Sequence, residues 1–426
     1  MPKPLTRSPQ PAQQRAAGPA ADGFRVLDAV IFGGSASGLW ILRQLAAAGR
    51  FALLIETDRL GAGQTAACQG IIHGGLKYTL NGQLSASARA IRSMPAVWRA
   101  CIDGVRAPAL GRGVLRADHC HLWHSGRALG HLGMIGARRG LRVAPVPLTP
   151  EERPQVLDAV PGLVCRLDEQ VVSPRRLVGA LAAPVQNLLL RAAPDAVGVE
   201  HLADGGLMLV LDPARTEATG ARPLLLRPRA VILAAGIGNA ALRAKLGLNR
   251  PLMQVRSVQM LLARGDLPEL NAHCVEGASA LVTITSDRDS AGRTIWQIGG
   301  GLSEDGVDLA ADALVRHGRQ VVGAALGGRA LSGTEWSAYR ADKAEVTTPG
   351  GQRPDDAFAL REGRIITAWP TKLALVPRLA ERVLALAAPL FGDRPAAPVD
   401  CRALGWPLPA LAPPPWEGSL QWTAAD

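Results

Sequence analysis

A few side chains in this sequence stand where they could do chemistry. His73, Lys77 and Tyr78 fall close together, and Lys372 stands near the start of a later apolar segment. A neutral imidazole is available near pH 7, and as a positioned general base it contributes roughly 10²- to 10⁴-fold to a rate. The same histidine could instead pack or hydrogen-bond without moving a proton. Lys77 offers an anion a point charge rather than a bidentate fork, and could equally be a solvated cation. Tyr78, one of two tyrosines, could donate to the same anion. Lys372 opens a helix, where the dipole disfavours a cation unless an anion lies nearby; a surface lysine is the alternative.

These groups need a scaffold, and the stretch before them supplies one. Residues 27–32 form a short apolar run ending in Gly33-Gly34, as in a buried strand. Residues 36–48 follow, with Leu39, Leu42 and Leu45 at helical spacing and Gly49 as the stop. Residues 51–55 read as the next strand, closed by Glu56. Strand, glycine turn, helix, strand and acid in this order are the signature of a dinucleotide site. Gly33 permits the tight turn, Gly38 lets helix and strand pack closely, and the helix N-terminus faces phosphates. Glu56 can accept hydrogen bonds from an adenosine ribose. The middle position, beside Gly34, is Ser35 rather than glycine, so the backbone is less free to approach a pyrophosphate. The plain alternative is an ordinary βαβ unit.

The next segment carries a resemblance. Gly63-Gln-Thr65-Ala-Ala-Cys68-Gln69-Gly70-Ile-Ile-His73-Gly74-Gly75-Leu-Lys77-Tyr78 resembles the stretch after the second strand in FAD-dependent glycerol-3-phosphate dehydrogenases. These belong to the D-amino-acid-oxidase-like flavoprotein superfamily. The likeness extends, more loosely, from about residue 27 to about residue 390. It implies an α/β and α+β chain: a Rossmann-like FAD-binding domain with an interleaved, mainly antiparallel β-sheet substrate domain. The FAD-binding domain would comprise residues 26–100, 160–245 and 352–393, and the substrate domain 101–159 and 246–351. Residues 1–25 would be a disordered tail and 394–426 a C-terminal tail.

The resemblance also implies roles. Thr65, Gln69 and Gly70 would face the cofactor, and Ala235-Gly236, at the end of a strand over 230–234, would make a second adenine-side contact. Arg353-Pro354 resembles a segment near the flavin. Thr371 and Lys372 would lie by flavin N1 and C2=O, where Lys372 could stabilise negative charge that arises only on reduction. Many relatives carry glycines at this turn; this chain has Pro370-Thr-Lys. Lys77 occupies a position that implies contact with an anionic substrate group, and Arg340 and Arg353 are further anion-binding candidates. Neither Cys68 nor His73 sits in a recognisable attachment motif, so FAD is expected to be noncovalent.

Residues 81–101 read as a helix with Ile91, Met94, Val97 and Trp98 inward, and 113–125 as a strand. That strand carries His119, Cys120, His121 and His124, but alternation splits them between two faces and no carboxylate accompanies them, so no metal is expected. Residues 253–263, 280–285 and 294–299 read as antiparallel strands with a turn over 287–292, and 310–326 as a helix. Trp296 suits a core better than a substrate platform.

At 426 residues, 48% hydrophobic and 19% charged, the chain is globular and long enough for two domains. No apolar run spans a membrane, and six scattered cysteines without a CxxC pair suit a reducing cytoplasm. The net charge of +11 fits an arginine-rich composition, an anionic substrate or peripheral contact with an anionic membrane face. No basic-aromatic tract or recognition motif points to nucleic acid.

The expected function is FAD-dependent oxidation of a small anionic hydroxy compound, such as glycerol 3-phosphate or a 2-hydroxy acid, by hydride transfer to flavin N5. Amine or amino-acid oxidation, a flavin-binding subunit without turnover and an NAD-dependent enzyme are the alternatives. Oxygen, a quinone and a partner protein are all open as electron acceptor.

Overall fold

The computed structural model of the chain describes residues 23–75, 86–124, 145–216, 220–276, 279–328 and 331–424. Arg25–Phe32 forms strand β1, Ala36–Ala47 helix α1 and Ala52–Glu56 strand β2. From Ala29 to Phe32, β1 alternates as a strand buried on both faces must. Ala29 and Ile31 pack under helices α1, Pro174–Ala182 and Val376–Ala387, while Leu27, Val30 and Phe32 face a second core. Gly49 ends α1 in the left-handed region at φ 68°.

β1 lies between β2 and Leu224–Leu233, parallel to both, and Leu189–Arg191 and Ile365–Trp369 extend the parallel sheet on either side. Phe358–Glu362 closes one edge antiparallel, and Val197–His201 with Leu207–Leu211 forms a meander that joins Leu224–Leu233. A second sheet gathers Cys120–His124, Val164–Leu167, Met253–Gly265, Ala272–Glu276, Ser279–Arg288, Thr294–Gly299 and Glu335–Val346, with two short edge strands. It is antiparallel except where Ala272–Glu276 pairs with Cys120–His124. Helix Ala311–Ala325 covers one face, over a core containing Trp123, Trp296 and Trp336. The fully buried Trp296 is thus a core residue. These two sheets, one parallel and carrying the glycine turn, one antiparallel, are the mixed architecture expected.

Two local readings need correction. The helix expected over 81–101 is broken, among its described residues, into Ala86–Ile91 and Met94–Ile102. Pro95 is the cause: it has no N–H, and its ring would clash with the carbonyl of Ile91 in a continuous helix. The single strand expected over 113–125 is two, Leu115–Ala117 and Cys120–His124. The first pairs with Val171–Val172, the second joins the large sheet, and the chain bends between them at exposed Asp118 and half-buried His119.

Residues after 394 pack closely. Val399, Cys401 and Trp406 join the core of the parallel sheet, Leu411 bridges to Leu60, and Trp416 is buried against the larger sheet. The expected tail at 1–25 lies almost wholly outside the described residues. Among those described, no helix is long and apolar enough to cross a membrane, and all six cysteines are free.

Candidate functional site

A cavity of about 850 Å³ opens where β1 and Leu224–Leu233 end, between the parallel sheet and the face of the antiparallel one. Ends of parallel strands are where open α/β sheets bind ligands. Its lining includes Gly33, Ser35, Glu56, Thr65, Gln69, Gly70, His73, Ala235, Gly236, Arg353, Thr371 and Lys372. Positions far apart in the chain are thus brought to one cavity. Gly34 and Gly38 stand immediately behind it.

The glycine turn is built by close backbone approach. Gly33 has φ 104°, and a Cβ there would sit 2.5 Å from Ala235 Cα. The two segments expected to form the dinucleotide site therefore touch. A Cβ on Gly38 would collide with the carbonyl of Gly33, and one on Gly34 with Leu60. The Glu56 carboxylate accepts from Gly34 N at 2.6 Å and from Thr57 N at 2.7 Å, fixing the end of β2 against the turn. Ser35, the departure from glycine, is the N-cap of α1. Its hydroxyl accepts from Gly38 N at 3.3 Å and donates to Ala234 O at 3.0 Å. Thr65 accepts from Ala36 N at 3.3 Å. No acidic side chain lies in the first turn of α1, so its positive end is not offset there. Small residues, a short turn and a helix end with no acid in its first turn suit a pyrophosphate.

The loop carrying Cys68, Gln69 and Gly70 is fixed to the larger sheet. Gln69 Nε2 donates to the carbonyls of Thr283, at 2.9 Å, and Gln297, at 2.8 Å. Gln297 and the hydroxyl of Tyr339 both donate to Ala67 O, each at 2.9 Å. Burial raises the Tyr339 phenol far above its ordinary range, so it stays a donor. Gly70 is left-handed at φ 78°, and a Cβ would collide with Val172 O. Burial also raises the Cys68 thiol, outweighing Gly70 N–H and Arg116, which makes it a poor thiolate nucleophile.

The turn after Ile365–Trp369 forms the opposite wall. Thr371, at φ 64°, is the one non-glycine residue with positive φ among those described. It takes the conformation glycines adopt readily, and its hydroxyl anchors it by donating to Asp356 O at 3.0 Å. Asp356 is itself clamped by Arg378, at 2.8 Å, and Arg382. Lys372 Nζ bonds the hydroxyl of Ser87, and Arg353 pairs with Glu304. The cavity wall carries more cations than acids, with Arg256, Arg340 and Lys343 contributing from the larger sheet.

His73 lines the cavity, and its Nδ1 lies 3.4 Å from Glu169 Oε2. The other oxygen of Glu169 accepts from Gly74 N at 2.5 Å. His273 stands beside them, its ring centroid 5.4 Å from that of His73. Lys77 and Tyr78 lie outside the described residues. Sequence reading did not find Glu169, His273, Gln297 or Tyr339, because each meets its partner across a long sequence separation and sits in no recognisable motif.

The histidine-bearing strand is elsewhere. None of His119, Cys120, His121 and His124 lines the cavity. His119 and His121 stack edge to face at 5.0 Å. Burial and the neighbouring His119 lower the His121 pKa from 6.5 to about 4. The folded imidazole is thus neutral where the unfolded one is charged. The stability this preserves is complete above pH 6.5 and is lost as pH falls from 6.5 to about 4, a difference of roughly 3 kcal/mol. We expect His121→Gln to reduce the drop in urea midpoint between pH 7 and pH 4.5; equal drops in both proteins would refute this. The group with metal-ligand proximity is instead His73, Glu169 and His273, whose ligand atoms all lie within 4.8 Å of one another.

Comparison with known proteins bears on the cofactor. Residues 28–363 match the model of the DAO family, described as FAD dependent oxidoreductase. A probable FAD-dependent oxidoreductase from Pseudomonas aeruginosa is 35% identical over 396 residues, covering 92% of this chain and 97% of the relative. The crystal structure of an FAD-dependent oxidoreductase from the same species superposes with a TM-score of 0.74 at 32% identity, covering 92% of this chain and 98% of that one. Glycine oxidase from Geobacillus kaustophilus shares the fold at 16% identity and a TM-score of 0.57, covering 87% and 96% of the two chains. Glycerol-3-phosphate dehydrogenase from Bacillus halodurans, solved with FAD, does so at 13% and 0.53, covering 87% and 66%. The resemblance to glycerol-3-phosphate dehydrogenases is therefore distant and reaches only the fold. The matched family model, the close relative and the glycine-built cavity agree: this chain belongs to the DAO family of FAD-dependent oxidoreductases, and it is an enzyme of that class.

Proposed function

We propose that the protein oxidises a small anionic hydroxy compound, of the polyol-phosphate or 2-hydroxy-acid type, with noncovalent FAD. Bound FAD supplies a hydride acceptor at N5. Gly33, Gly34, Ser35, Gly38, Ala235 and Gly236 would hold the pyrophosphate and adenine side, with Glu56 on the ribose. Thr65, Gln69, Gly70, Arg353, Thr371 and Lys372 would flank the flavin. Lys372 would place a cation beside charge that develops at N1 and C2=O.

The observation that carries this reading is His73. It is a cavity-lining imidazole backed by a buried carboxylate, and it can take the hydroxyl proton as the substrate carbon gives up hydride. An amine arriving neutral needs no such base. The excess of cations on the wall favours an anionic substrate.

The test is an anaerobic titration of the flavin-loaded enzyme with glycerol 3-phosphate, lactate, glycine and proline, following the visible flavin band. We expect bleaching by a hydroxy substrate. Bleaching by the amines alone would replace this reading with amine oxidation.

A further inference from the structure

We propose that Glu169 is a positioning residue: it holds His73 in the Nδ1–H tautomer, with His273 completing the carboxylate's surroundings, so that Nε2 is the atom that takes the substrate proton. This rests on the reading of His73 as proton acceptor.

Three parts of the chain converge on the carboxylate. Ile72 N donates to Gln170 O at 2.8 Å and Val172 N to Gly70 O at 2.9 Å, which sets His73 and Glu169 in register. Strand Ala272–Glu276 brings His273, whose Nε2 lies 3.8 Å from Glu169 Oε2. Its Nδ1 is 2.9 Å from Thr283 Oγ1, and the carbonyl of the same Thr283 accepts from Gln69 in the cofactor loop. Glu169 is 3% exposed in its side chain.

The chemistry follows from what a carboxylate can do. Ionised, it accepts hydrogen bonds and cannot donate, and buried it must be met by N–H groups. Gly74 supplies one. A neutral imidazole has a single N–H, and a carboxylate facing Nδ1 selects the tautomer that carries the proton there. Nε2 then keeps the lone pair a general base needs. The same logic orients His273: a hydroxyl proton from Thr283 on Nδ1 leaves Nε2–H directed at the carboxylate. Glu169 is not among the residues that line the cavity, whereas His73 is, so it acts through His73.

Glu169→Gln isolates this role. Its amide oxygen can still accept from Gly74 N–H, but its NH₂ group favours a lone pair on Nδ1, which moves the proton to Nε2. Where a carboxylate orients a catalytic imidazole, the amide variant can cost about 10⁴-fold in turnover; at the longer separation here we expect a fall of at least about 10²-fold in kcat, with KM and flavin content little changed. The direct readout is long-range ¹H–¹⁵N correlation of the flavin-loaded enzyme labelled at histidine, with His73 assigned through His73→Asn. We expect Nδ1–H in the wild type, Nε2–H in E169Q, and partial recovery of both signals and kcat in E169D. An Nε2–H tautomer in the wild type would overturn the proposal, even if E169Q fails to fold. So would a stoichiometric transition metal in the purified enzyme that is lost in E169Q. A tautomer exchange with turnover unchanged, in E169Q and in His73→Ala alike, would overturn His73 as acceptor while leaving Glu169 as its anchor.

Discussion

Gly33→Ala is expected to give a protein that purifies with little or no flavin and unfolds at lower temperature. The added methyl would meet Ala235 Cα at 2.5 Å and Ala234 O at 2.7 Å, and all are backbone atoms that no rotamer change can move. The strands cannot part without loss, because Gly33 N is bonded to Ile55 O and Ala234 N to Phe32 O, each at 2.9 Å. The residue must also hold φ 104°, which costs an L side chain about 1–2 kcal/mol. Overpacking adds about 1–3 kcal/mol, a large part of the roughly 5–15 kcal/mol that stabilises a domain. Gly49→Ala is the control. It also has positive φ, but nothing lies within 4 Å of a Cβ there, and it stands away from the cavity. It should cost only the roughly 1–2 kcal/mol of its positive φ, with no overpacking, and leave flavin content intact. The ratio of visible to ultraviolet absorbance and a melting curve decide the matter. Wild-type flavin content in G33A would show that the turn does not shape the cofactor site.

His73→Ala is expected to retain flavin and lose roughly 10²- to 10⁴-fold in the rate of flavin reduction by a hydroxy substrate. Retention is expected because the ring stands against Glu169 and His273 rather than in the glycine turn. The variant also removes one partner from a buried carboxylate, at about 1–3 kcal/mol, so His73→Asn should be measured beside it. Stopped-flow reduction at saturating substrate separates chemistry from binding. A rate within a few-fold of wild type would remove proton transfer by His73 from the mechanism, and would favour a substrate that arrives without a proton to lose.

Much of the cofactor side was legible in the sequence because its constraints are local. A strand, a turn needing glycine, a capped helix and a second strand occupy one short stretch from Arg25 to Glu56, and each leaves its mark in residue type. Ser35 shows the limit even there: it reads as a misplaced glycine, and only the structure reveals the cap. Thr371 is a second case, since a β-branched residue gives no sign that it will adopt positive φ. Its anchor, Asp356 O, and the arginines that clamp Asp356 are a matter of packing.

The sequence by itself therefore determined the cofactor fold, the glycine turn and His73 as a candidate base. Tertiary structure alone decided what stands behind His73. Glu169 and His273 come from segments far along the chain, and they reach the imidazole only because the 70–72 and 170–172 backbones pair and the large sheet brings in strand Ala272–Glu276. Periodicity and motif record what a residue does with its near neighbours. A carboxylate that sets an imidazole's tautomer through space follows no such spacing, so its partner appears only once the chain is folded.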